Sequence, residues 1–73
     1  MEYVIVTFPG GRDVFADDGD DSVGTTNQMF EIEKGTHYFN LGQPLNYRPA
    51  TYMCSVTGTI PADPMKIVFT KVS

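Results

Sequence analysis

The chain has 73 residues, about half the size of a common single domain, so it accommodates one core and no separate catalytic and binding halves. Its 41% hydrophobic and 12% aromatic residues suffice for collapse and argue against wholesale disorder. A net charge of −4 repels a phosphate backbone and disfavours nucleic acid as a partner, and the single cysteine, Cys54, excludes an intrachain disulfide.

The elements follow from alternation. Glu2 to Phe8 is the first predicted strand, dense enough in Tyr3, Val4, Ile5, Val6 and Phe8 to be largely covered on both faces. Its apolar run, Tyr3 to Val6, is far short of the roughly 18 residues of a membrane span, and no basic segment precedes it as in a secretion signal. A full-length chain of this kind is expected in the cytoplasm; a piece excised from a longer precursor is expected outside it. Pro9-Gly10-Gly11 ends the strand and opens no helix, and Asp13 to Ala16 forms a second short strand. Asp17 to Asn27, with four aspartates, two glycines and several hydroxyl side chains, reads as an acidic loop.

Gln28 to Lys34 alternates, with Phe30 and Ile32 on one face and Met29, Glu31 and Glu33 on the other. Gly35 supplies the hairpin, and Thr36 to Leu41 alternates again: His37, Phe39 and Leu41 face one way, Tyr38 and Asn40 the other. Gly42 to Pro49, with two prolines and a glycine, is predicted as a surface connector with little ladder of its own. Thr51 to Thr57 sets Tyr52, Cys54 and Val56 against Met53, Ser55 and Thr57. Gly58 to Pro64 turns the chain, and Met65 to Val72 is the last strand, with Ile67 and Phe69 opposed to Lys66, Val68 and Thr70. No segment carries a 3.6-residue period over ten or more positions, so the fold class is all-β: a small antiparallel sandwich of about six or seven short strands in one domain, 1–73.

An ordered series of cues in the middle of the chain resembles the PEGA domain. Val14-Phe15-Ala16-Asp17-Asp18-Gly19 is similar to that family's apolar strand entering an aspartate-glycine turn, and Val23-Gly24-Thr25-Thr26 to the glycine-threonine step after it. Phe30 to Leu41, which includes Lys34-Gly35-Thr36-His37, resembles its alternating strand, glycine hairpin and second strand, and Tyr47-Arg48-Pro49 its tyrosine-containing turn. The match runs from Val14 to Pro49 and departs at the signature itself, where Glu33-Lys34-Gly35-Thr36 stands in place of Pro-Glu-Gly-Ala. The resemblance implies a transthyretin-like β-sandwich and a non-catalytic module, often one appended to a larger extracytoplasmic protein.

Four groups of residues carry chemistry that needs weighing. Asp17, Asp18, Asp20 and Asp21 could gather oxygen ligands for calcium, but the spacing is not that of an EF-hand and a solvated acidic loop is the commoner outcome. His37 and Cys54, each the only residue of its type, could form a thiolate–imidazole nucleophile, yet both fall on the apolar faces of their strands. Glu31 and Glu33 share a face, as an acid–base pair must, and so do most carboxylates on a wet strand. Tyr3, Tyr38, Tyr47 and Tyr52 could stack on a sugar, with Tyr38 the clearest exposed ring.

Met29, Tyr38, Met53 and Val68 fall on the faces that alternation assigns to solvent, and a small core without staples has reason to associate. The expectation is a non-enzymatic binding or structural module without a cofactor, docking through these four residues to itself or another protein, with a homo-oligomer as the expected state. The alternative is a ligand-binding domain for calcium or carbohydrate.

Overall fold

The structure is a computed structural model, and it describes residues 1–72. Short alternating segments bounded by glycine and proline cannot bury an oily face alone, and among the described residues they become nine strands without a helix: β1 (Glu2–Thr7), β2 (Asp13–Ala16), β3 (Gly24–Thr25), β4 (Met29–Ile32), β5 (Gly35–Asn40), β6 (Tyr47–Arg48), β7 (Tyr52–Val56), β8 (Met65–Val68) and β9 (Thr70–Lys71). A three-stranded sheet has the order β4-β1-β8, a four-stranded sheet the order β3-β2-β5-β7, and β6 pairs with β9 as a separate ribbon. Among the described residues no helix is long and apolar enough to cross a membrane.

The two larger sheets close on one another through the residues that alternation predicts. Val4, Val6, Ile32 and Ile67 from the first meet Val14, Ala16, Phe39 and Val56 from the second, and Phe8, Leu41, Tyr47 and Phe69 seal one end. The rings meet edge to face, Tyr47 on Phe8 and on Phe69 at interplanar angles of 85° and 89°. The all-β class and the six longer strands are as the sequence predicts.

Several details differ from the sequence reading, each for a long-range reason. The sandwich is not antiparallel throughout: β1 pairs with β8 in parallel, Val4 opposite Met65 through Thr7 opposite Val68. The segment predicted as an acidic loop, 17–27, contains β3, which pairs with β2 and crosses to β4 in the other sheet. A Cβ on Gly24 would lie 2.5 Å from the Phe30 ring, so glycine is what permits that crossing. Beyond it, Thr26 Oγ1 donates to Gly10 O and accepts from Arg12 N, while the Asn27 amide accepts from Phe8 N and donates to Phe8 O. These side chains reinforce the backbone bonds from Thr26 N to Arg12 O and from Asn27 N to Val6 O.

The predicted connector 42–49 likewise contains β6, paired with β9 at Tyr47–Lys71 and Arg48–Thr70. The last predicted strand is broken at Phe69, whose N–H still donates to Thr7 O before the chain leaves the first sheet for the ribbon.

Candidate functional site

Register decides where the four candidate docking residues lie. Met29 stands opposite Ile5 and Val68 opposite Thr7, on the outer face of the three-stranded sheet. Tyr38 and Met53 are direct cross-strand partners on the outer face of the four-stranded sheet, on the other side of the core. Their exposures of 45% for Met29, 47% for Tyr38, 62% for Met53 and 55% for Val68 agree with the sides assigned by alternation. They form two pairs facing away from each other, so no single surface includes all four. The Tyr38–Met53 pair, on neighbouring strands one step apart, is the closer-knit of the two.

The lone histidine and lone cysteine also meet across this ladder, His37 opposite Cys54 on the inward face. Both imidazole nitrogens are engaged elsewhere: Nδ1 lies 2.6 Å from Asp17 Oδ2, and Nε2 lies 2.7 Å from the Glu33 carbonyl. A carbonyl and an ionised carboxylate are acceptors only, so the imidazolium, with two N–H groups, satisfies both at once. Burial pushes His37 down, but the bonds to Asp17 and Glu33 outweigh it and leave the histidine raised. Burial alone pushes the Cys54 thiol up, which keeps it protonated. With Nδ1 on Asp17 and Nε2 on the Glu33 carbonyl, neither ring nitrogen is bonded to the Cys54 sulfur.

Asp17 is drawn out of the acidic loop by the same contacts. Its Oδ1 accepts from Tyr38 N at 3.0 Å while Oδ2 faces His37, and its carboxyl is held low by the histidine bond first and the Tyr38 amide next. With both oxygens committed, three aspartates of the cluster remain free in the turn, and among the described residues no group of three or more His, Cys, Asp or Glu side chains is arranged to hold a metal. Glu31 lies on the wet face of β4 opposite Tyr3, whereas Glu33 follows the strand and contributes its carbonyl to His37.

The tyrosines do not make a sugar platform. Tyr47 is buried, where its hydroxyl accepts from Leu41 N and donates to Gly42 O; Tyr52 packs on Phe69, Tyr3 is partly buried on the other sheet, and Tyr38 is exposed. A tyrosine bonded back to backbone five and six residues upstream pins the turn that follows β5, much as a tyrosine corner does in sandwich folds.

One organising residue escaped the sequence reading. Arg12 lies beside the Phe8 and Tyr47 rings, its Cζ 5.7 and 5.4 Å from their centroids. Its Nη1 donates to Asn46 Oδ1, and its Nη2 to the carbonyls of Leu41, Gly42 and Pro44. These acceptors lie 29 to 34 positions away, which local pattern cannot show; the available hint was that Arg12 is the sole Lys or Arg before Lys34. Arg12 also borders a shallow groove of about 470 Å³ with Asp13, Phe15, Thr25, Leu41 and Gln43. Since both terminal nitrogens are turned onto the loop, the groove does not present them to an anion. No family model, no curated protein and no solved structure matches the chain.

Proposed function

We propose that this chain is a non-catalytic binding or structural module that works by protein association, a second copy of itself being the partner its surface favours. The observation that carries the reading is the cross-strand pair Tyr38 and Met53, exposed side by side on the outer face of the four-stranded sheet. It is supported by the bonding of both His37 ring nitrogens to groups other than Cys54 and by a core too small to have much stability in reserve. The resemblance to PEGA modules belongs to the same proposal, and its cues at Gly35 and Tyr47 coincide with a hairpin and a pinned turn.

Light scattering across a wide range of concentrations tests it. The mass is expected to rise from 8.1 kDa to at least twice that value, and Met53→Glu is expected to return it to 8.1 kDa with the fold intact. A wild-type chain that holds 8.1 kDa throughout overturns the reading.

A further inference from the structure

The turn that leaves β2 is held in a conformation that its own residues do not favour. Asp17 and Asp18 both have left-handed backbones, with φ of 56° and 59°, and Gly19 N closes the turn on Ala16 O at 3.0 Å. Two successive residues with side chains seldom stay left-handed unless contacts elsewhere hold them there. Asp17 supplies those contacts: its N–H donates to Tyr38 O at 2.9 Å, its Oδ1 accepts from Tyr38 N, and its Oδ2 meets His37 Nδ1. Among the described residues the next backbone N–H to be bonded is that of Val23, to Val14 O, so Asp20, Asp21 and Ser22 hang between it and the turn that Asp17 anchors.

We propose that His37 is the pin of a pH-operated latch: as imidazolium it fastens Asp17 and closes the acidic turn, and as neutral imidazole it keeps the Glu33 carbonyl and lets Asp17 go. A neutral ring has one N–H for two acceptors, so one contact must be lost. The loss falls on Asp17. Its carboxylate is half-exposed and is taken up by water, and its release lets the two left-handed residues relax. Glu33 lies four positions from His37 in the same hairpin, which keeps carbonyl and ring together, and the bare Nδ1 then repels the carboxylate it had held. The ionisable groups around the ring are Asp17 from the turn, Glu33 before β5 and the Cys54 thiol opposite on β7, and the two charges that act on it are both negative. Burial pulls the titration of His37 down, and the bonds to Asp17 and the Glu33 carbonyl raise it past that effect to above 6.5. The latch is therefore shut on the acid side and opens as pH rises through that higher value. What it controls is order in the most acidic stretch of the chain, Asp17 to Asp21.

Amide hydrogen exchange followed by NMR, each rate divided by its intrinsic rate at that pH, reads the latch residue by residue. Between pH 5 and 9 the protection of the Asp17, Gly19 and Tyr38 amides is expected to fall by about threefold, with that of β1 and β8 unchanged. The imidazole nitrogen shifts are expected to show both nitrogens protonated at the acid end and Nε2–H alone at the alkaline end. Asp17→Asn keeps a residue type that tolerates the left-handed backbone, and is expected to make protection of the turn independent of pH and to move the titration of His37 down. An Nδ1–H ring at pH 9, unchanged protection of the three amides, or an equal fall in β1 and β8 overturns the latch, and these readouts come from the wild type whether or not the variant folds.

Discussion

His37 and Asp17 face each other at 2.6 Å across the boundary between the β4–β5 hairpin and the turn after β2, twenty positions apart in the chain. The imidazole is mostly covered, with 12% of its side chain exposed, while the carboxylate keeps 47%. The same carboxylate binds Tyr38 N, and the same ring binds the Glu33 carbonyl. One charge pair therefore ties the acidic turn, the hairpin and β5 together.

Stability should follow the protonation of this pair. His37 is raised above its ordinary 6.5, so its contribution is complete below about pH 6.5 and is lost as pH rises through the higher folded value. Asp17 is lowered from 3.8, so its share is present above that pH and is lost only as pH falls through the lower folded value. Because Asp17 is half-exposed, the effect should amount to about 1 kcal/mol or less, a melting-temperature drop of a few degrees above neutrality. Melts between pH 5 and 9 should show it, and His37→Gln should flatten the slope. A His37 imidazole titrating below 6.5 by NMR would contradict the assignment.

Arg12 holds the loop after β5 by charge-assisted bonds that fan from one planar guanidinium to four acceptors beside two aromatic rings, a geometry a lysine ammonium cannot reproduce. Arg12→Lys is therefore expected to behave almost as badly as Arg12→Ala. Each should cost about 2–3 kcal/mol in urea unfolding, since loop carbonyls lose their donor and the rings lose their cation. Full rescue by lysine would mean that charge alone matters.

At Gly24 a side chain would meet the Phe30 ring at 2.5 Å, and β3 has no slack to move while Thr26 and Asn27 clamp the next residues. Gly24→Ala should destabilise by about 1–3 kcal/mol through overpacking. Combined with Phe30→Leu, the two losses should sum to less than their separate values in a double-mutant cycle, because the smaller side chain opens the space that the new methyl needs. Strict additivity would place the strain elsewhere.

Cys54, half-buried and shifted up by that burial, should react slowly with a disulfide reagent at neutral pH and speed up markedly in denaturant. Rapid labelling of the native chain would mean that the thiolate is accessible, and would reopen the nucleophile pair with His37.

The recoverable features were those that one strand settles alone. Residues two apart share a side, so Phe39 and Val56 could be sent inward and Tyr38 and Met53 outward before any partner strand was known. What stayed hidden depends on contacts between distant segments. Strand β3 looks like loop because glycine and threonine form it and its pairing is with β2; β6 lies among prolines and is called into a ladder by Thr70 and Lys71. Nothing near Arg12 announces that its partners are Leu41, Gly42, Pro44 and Asn46.

The amino-acid order by itself determined the class of fold and the inside and outside of each main strand, because a two-residue period is a property of a short stretch of extended chain. Only the tertiary structure decided that β8 runs parallel to β1, that His37 is committed to Asp17, that Met29 and Val68 lie on the opposite side from Tyr38 and Met53, and that β7 is left as a bare edge. Those outcomes depend on which strands become neighbours, and that choice is made by packing the entire core at once.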